Sequence, residues 1–331
     1  MLAAQVPVHG DPEVIQILEI PDPVPGAGEV VVDVVAAGVN FPDVLVVANK
    51  YQVSIEPPFV PGTEYAGIVR SVGSDVTQWR PGDRVHGWSM VGAFAEQICV
   101  PADRLSRLPD GVGFGVGATY YVPYLTAQHS LRSVADVQPG EWVCVLGAAG
   151  GVGLATIELA QTMGARVIAA ASSTEKLQLC LARGASHAID YVADDLRDRL
   201  KEITGRGADV VIDPVGGRWS ERAIRATAFG GRFVTVGYAS GEIPRIPLNL
   251  VLLKGLAILG IDMRTFSTNA PDRYRRDVEE LEQTLISGHI NPQVGDVWPL
   301  RDVPTALRRV ADRLVLGKTI VHVAPEVPLQ I

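Results

Sequence analysis

The stretch VLGAAGGVGLA, residues 145–155, runs from an apolar strand tail through seven residues drawn only from Gly, Ala and Val into the start of a periodic helix. A phosphate-cradling turn between strand and helix needs backbone N–H groups aimed at an anion from the helix N-terminus, with no side chains in the way. Gly150, Gly151 and Gly153 meet that demand: Gly150 lets the backbone approach a pyrophosphate, and Gly153 lets the helix lie close on its strand. With Ala149 and Val152 they form the candidate cradle. The position that normally makes the tightest turn carries Ala148, so the glycine pattern alone is a weak signal.

Its surroundings strengthen it. Upstream, VCVLG reads as a buried strand; downstream, Val152, Ala155, Leu159 and Met163 share one helical face with Glu158, Gln161 and Thr162 opposite. The alternation continues through ARVIAAA, SHAIDY, ADVVIDPVG, GRFVTVG and LAILGID as strands, with helical stretches such as TEKLQLCLARG and DDLRDRLKEITG between them. Strands alternating with helices predict an α/β, doubly wound parallel sheet, with a ligand crevice at the carboxyl ends of the strands. Residues 1–120 read instead as short β segments punctuated by Pro and Gly, a compact barrel-like β domain. The tail from residue 263, a helix-helix-strand segment, cannot bury its own apolar faces and is expected to pack back on that domain. The predicted division is 1–120 with 263–331, and 121–262.

The end of the second strand of the alternating part selects the cofactor. NAD sites want a carboxylate there for the ribose 2′-hydroxyl; this chain has Ala171, Ser172 and Ser173, followed by Lys176. Hydroxyls and a nearby cation suit a 2′-phosphate, which favours NADPH over NADH. Glu175, three residues after Ser172, has the spacing of a capping-box partner that faces away from such a phosphate.

With 29 Lys and Arg against 37 Asp and Glu, and no basic run, the chain is not expected to bind nucleic acid. No apolar run approaches bilayer length, and the N-terminus lacks a basic lead before an apolar stretch. Cys99, Cys144 and Cys180 form no CxxC, which suits a reducing compartment, so a cytoplasmic protein is expected. His86, His129 and His187 lie on or beside predicted strands and a helix and read as structural.

The chain resembles the medium-chain dehydrogenase/reductase superfamily and, within it, the zinc-free NADPH:quinone oxidoreductase (zeta-crystallin-like) branch. The resemblance rests on GVNFPDVLVVANKY (38–51), PFVPGTEYAGIV (58–69), PGDRV (81–85), YLTAQHSL (124–131), GAAGGVGLATIELAQTMGARV (147–167), the IDY ending at Tyr191, and GKTIVHV (317–323). It implies a Rossmann domain beside a GroES-like barrel, and the Ala-first form AAGGVG is usual in that branch. The superfamily's alcohol dehydrogenases place a Cys where Asn40 stands and a His-Glu pair where Thr63 and Glu64 stand, and their structural zinc lobe carries four closely spaced Cys. Lacking those thiols and imidazoles, the chain is expected to bind no metal and to pass a hydride to a small-molecule acceptor already activated by conjugation.

By the same resemblance Asn40 and Thr126 lie by the nicotinamide and its ribose, and Lys176 and Tyr191 by the 2′-phosphate with Ser172 or Ser173. Gly237 and Tyr238 fall on the nicotinamide-side loop, and Tyr51 matches a position where related enoyl-thioester reductases carry a proposed proton-donating Tyr. Whether Tyr51 donates a proton or only walls a pocket stays open at this level. So do two alternatives to quinone reduction: an enoyl-thioester reductase, and a non-catalytic NADPH-binding sensor or structural protein. RTFSTNAPDRY (264–274), where such enzymes vary their substrate loop, matches no family pattern. A homodimer is expected through the apolar Rossmann edge LAILGID.

Overall fold

The computed structural model describes all 331 residues, which divide into two compact units: Met1–Val122 with Pro292–Ile331, and Pro123–Asn291. The first unit begins with an antiparallel pair, β1 (Leu2–Gln5) and β2 (Gln16–Glu19). Its main sheet is built on β3 (Glu29–Gly38), β4 (Glu64–Val72), β5 (Arg84–Trp88), β6 (Gln97–Pro101) and β7 (Leu105–Arg107). The long β3 is rich in Val, a residue that fits a pleated surface, and it pairs antiparallel with both β4 and β6. Register shifts in the β3–β4 ladder between Val31 and Val32, and between Val34 and Ala36, are bulges of the kind that bend a sheet toward closure. Val30, Val32, Val34, Tyr65, Val85 and Phe94 fill the core.

The second unit carries β8 (Trp142–Leu146), β9 (Arg166–Ala171), β10 (His187–Asp190), β11 (Ala208–Asp213), β12 (Thr227–Thr235) and β13 (Ala257–Gly260). They form one six-stranded sheet in the order β10-β9-β8-β11-β12-β13, with every neighbouring pair parallel. The strand order reverses between β8 and β11, which is where the open crevice of such a sheet lies. The predicted doubly wound sheet is therefore present, with β10 and β13 as its two edges.

The chain's last two strands, β14 (Val294–Pro299) and β15 (Lys318–His322), return to the first unit, where β15 pairs antiparallel with β3. The predicted domain boundary at 263 is too early. The helices Met263–Asn269 and Pro271–Ile286 belong to the second unit, because the second of them buries Asp277, Leu281 and Leu285 there. Asp277 Oδ2 accepts from Ser133 Oγ at 2.6 Å and lies 3.0 Å from His129 Nδ1, while Arg132 pairs with Glu280 at 3.2 Å. His129 thus has a carboxylate partner that sequence proximity could not reveal, and its role is to tie helices together.

Candidate functional site

In the Rossmann unit the helix Gly151–Thr162 starts directly after Gly150, an N-cap with no side chain to cap anything. Its first internal bond runs from Leu154 N–H to Gly150 O at 2.9 Å, so the N–H groups of Gly151, Val152 and Gly153 find no acceptor within the helix. A Cβ on Gly150 would touch only Gly147 O, at 3.4 Å, which leaves that side of the turn open. A Cβ on Gly153 would fall 2.5 Å from Ala148 O, so glycine there is what lets the helix press against its strand. The left-handed residue of the turn is Gly147, at φ +58°, one position before the Ala148 to which the sequence had assigned the tightest turn. Ala148 is instead an ordinary buried residue whose N–H bonds Ala170 O at 3.1 Å.

At the end of β9 Ser172 is exposed and Ser173 half-buried. The N-cap of the helix Thr174–Ala182 is Ser173, whose Oγ accepts from Lys176 N–H at 3.4 Å; the cap thus falls one residue after Ser172, and the expected capping-box pairing of Ser172 with Glu175 is not formed. No carboxylate stands at the strand's end. Tyr191 is brought alongside by its N–H bond to Ala171 O at 3.2 Å, and its ring packs on Trp219 at 4.5 Å. Arg218 and Arg222 lie over that same indole, at 4.6 and 4.9 Å. The loop bearing Gly237 and Tyr238 is tied to the end of β11: Gly237 N–H reaches Asp213 O at 3.4 Å and Ala239 N–H reaches Pro214 O at 3.1 Å. The Asp213 carboxylate, buried, accepts from Val215 N–H, Gly216 N–H and Ser220 Oγ at 2.6–2.9 Å. Burial still raises its pKa against those donors. Asp213 and Trp219 were not among the sequence candidates; the carboxylate after VVI at a strand's end was the available signal. Thr126, half-buried, sits on the helix Phe114–Gln128, and its carbonyl accepts from Ser130 Oγ at 2.7 Å.

In the first unit Asn40 is the N-cap of the helix Phe41–Val47, and Tyr51, half-buried against the barrel core, follows that helix's far end. Asn40 is nearly enclosed and belongs to a polar cluster within an apolar interior. Its N–H bonds Asp43 Oδ2 at 2.7 Å, and its Nδ2 donates to Thr63 Oγ1 at 3.1 Å and to Glu64 Oε2 at 3.2 Å. Its Oδ1 accepts from Lys318 Nζ, and the same ammonium pairs with Glu64 Oε2 at 2.9 Å. Glu64 Oε1 accepts from Val122 N–H at 2.8 Å. Burial pushes the Asp43 carboxyl up to about 7, opposed by the Asn40 N–H and the Lys318 charge. Lys318 was missed at the sequence level because it lies 278 residues from Asn40.

The positions at which related alcohol dehydrogenases carry zinc ligands therefore hold an amide, a hydroxyl and one carboxylate already paired with an ammonium. That donor set does not suit Zn²⁺, and no cluster of three or more His, Cys, Asp or Glu side chains is placed to hold a metal. His86 is fully buried between Tyr120 and Tyr121, with no hydrogen-bond partner at either ring nitrogen, and burial pushes its pKa down to about 3. All three cysteines are unpaired, and burial pushes the thiols of Cys144 and Cys180 up to about 12. No helix is long and apolar enough to cross a membrane.

Comparison with known proteins agrees with both halves. A family model described as an alcohol dehydrogenase GroES-like domain matches residues 26–110, and one described as zinc-binding dehydrogenase matches residues 151–283. The quinone oxidoreductase-like protein 2 homolog of Nematostella vectensis is 37% identical over 301 residues, covering 90% of this chain and 82% of that protein. Quinone oxidoreductase 1 of Escherichia coli K12 is 33% identical over 320 residues, covering 94% and 96%. Among solved structures, Escherichia coli quinone oxidoreductase complexed with NADPH superposes with a TM-score of 0.91 at 31% identity, over 98% of this chain and all of that one.

Proposed function

The chain belongs to the medium-chain dehydrogenase/reductase superfamily, in its zinc-free quinone oxidoreductase branch, and from that premise we propose that it is an NADPH-dependent reductase of quinones or related α,β-unsaturated carbonyls. The observation that carries the reading is the uncapped helix N-terminus at Gly151, open on its Gly150 side. The N–H groups of Gly151, Val152 and Gly153 would hold the pyrophosphate, aided by the positive end of the helix dipole. Ser172, Ser173 and Lys176, with Tyr191 beside them, would hold the 2′-phosphate, and the absence of a carboxylate at the end of β9 spares that phosphate repulsion. Gly237 and Tyr238 would border the nicotinamide on the Rossmann side, with Thr126 at its ribose. When bound, NADPH supplies the hydride.

The protein's own part is then binding, orientation and protonation. Asn40 is the rigid polar group of the barrel unit, and Tyr51 or solvent would supply the proton that follows the hydride. An acceptor already polarised by conjugation needs no Lewis acid, in keeping with a cluster that carries an ammonium where a metal would need open ligands. Three unpaired cysteines fit our placement of the protein in the cytoplasm. The exposed edge β13 is proposed to pair with a second copy.

The test is NADPH oxidation by the purified full chain against a panel of 1,4-benzoquinones, enones and enoyl thioesters. Turnover of quinones or simple enones is expected. Turnover restricted to enoyl thioesters would replace this reading with thioester reduction. Tight NADPH binding without turnover of any acceptor would replace it with a sensor or structural role.

A further inference from the structure

The cluster around Asn40 contains a buried ion pair that the proposed reaction does not yet use. Lys318 is 5% exposed and Glu64 fully buried, and their 2.9 Å contact lies inside the barrel unit. Stability is a poor explanation for such a pair, because the cost of taking two charges out of water often cancels their attraction, and apolar residues of the same volume can serve as well. What a buried charged pair does well is fix one arrangement of its neighbours.

The backbone is built to deliver Lys318 to this place. Its N–H bonds Gln293 O at 3.2 Å, the carbonyl of Thr319 accepts from Val39 N–H at 2.9 Å, and Ile320 is in register with Gly38. The lysine stem passes over Gly38: a Cβ there would lie 3.1 Å from Lys318 Cε, 2.9 Å from Glu64 Oε2 and 2.1 Å from Ala118 O. Gly38 is thus part of the device.

The amide of Asn40 has two hydrogens, and both are engaged, one by Thr63 Oγ1 and one by Glu64 Oε2, while Oδ1 receives the Lys318 ammonium. An amide with donors and acceptors engaged on both sides can neither flip nor swing. A carboxylate can only accept and an ammonium can only donate, so the pair together writes the orientation without ambiguity.

We propose that Lys318 is a positioning residue: with Glu64 it locks the Asn40 amide in the single orientation that the proposed reaction uses. This rests on the reductase reading given above. Lys318 acts through Asn40 and touches neither substrate nor cofactor.

The test uses the full chain and two variants. Lys318→Met alone leaves Glu64 buried without its counter-ion and can fail through lost stability. The double variant Lys318→Met with Glu64→Gln removes both charges at similar volume, and its new amide can donate to Oδ1 and release Asn40 to turn over. Melting temperature, NADPH Kd by fluorescence quenching, and kcat and KM with 1,4-benzoquinone are measured, together with the ¹⁵N side-chain amide resonances of Asn40, assigned by their loss in Asn40→Ala. The double variant is expected to melt close to the parent and to bind NADPH within about threefold of it, with kcat lowered at least about tenfold and KM little changed. The Asn40 amide pair, slow to exchange in the parent, should broaden or shift. A double variant with parental kcat would overturn the proposal. A fall in melting temperature and NADPH affinity in step with kcat would equally do so, because the pair would then be serving only the fold. If the parent turns over no acceptor, the reductase reading fails on that result alone, and the amide resonances still decide whether Lys318 fixes Asn40.

Discussion

Two glycines in one turn separate folding from binding. Gly153 presses against Ala148, so Gly153→Ala is expected to destabilise the protein by about 1–3 kcal/mol in denaturant titrations, the usual range for overpacking. Gly150 has ordinary negative φ and room for a methyl group, so Gly150→Ala should leave stability within about 0.5 kcal/mol. The same methyl would stand where a pyrophosphate must approach, and NADPH affinity should fall at least about tenfold. Lys176→Ala is expected to weaken NADPH by about tenfold in fluorescence titration while leaving NADH nearly unchanged; equal losses for both would remove Lys176 from the 2′-phosphate. The strands, turns and helices that carry these glycines, serines and the lysine were legible in the sequence because they are local. Gly147 as the left-handed residue and Ser173 as the cap were each displaced by one position, since caps and turns are decided by φ and ψ rather than by residue type alone.

At the scale of elements, β5 puts His86 against the helix Phe114–Gln128 with no partner for its ring, and this has a pH consequence. Its folded pKa, about 3, lies below the ordinary value of 6.5, so the neutral ring contributes stability above pH 6.5 that is lost as pH falls toward 3. His86→Phe, which needs no proton bookkeeping and fits among tyrosines, should therefore match the parent near pH 7.5. It should exceed the parent by about 1–2 kcal/mol at pH 5, measured by urea unfolding at both pH values. A difference that is flat with pH would show that the His86 ring keeps its ordinary pKa in the fold and would refute this reading. The parallel strands were readable from their apolar runs and regular spacing. The pairing of β15 with β3 was not, and with it went the ion pair at Asn40, because nothing local in GKTIVHV says which strand it will meet.

For the molecule as a whole, one edge of the Rossmann sheet carries exposed apolar side chains. Phe229 is 83% exposed, Leu252 81% and Leu253 71%, and Ile258 stands on β13 itself, which has no partner on its outer side. Exposed apolar groups beside an open strand are what a second copy would cover. The proposed dimer should appear in sedimentation velocity at micromolar concentration. Leu252→Glu combined with Ile258→Lys should shift it to monomer with unchanged far-ultraviolet circular dichroism; a parent that sediments as a monomer would refute the pairing. The edge was legible as the final apolar strand, LAILGID. The assignment of 263–291 was not, because the contacts that hold Asp277 and Glu280 come from residues more than a hundred positions upstream.

The ammonium of Lys318 also bears on protein engineering. Grafting a thiol at Asn40 and an imidazole at Thr63 would reproduce on paper the ligand types found in related zinc alcohol dehydrogenases, with Glu64 already in place. In this chain the graft would meet a resident positive charge 2.9 Å from that carboxylate, so an incoming divalent cation would face repulsion at the one ligand the barrel already offers. Such a graft becomes a metal binder only if Lys318 is exchanged for a neutral side chain in the same step.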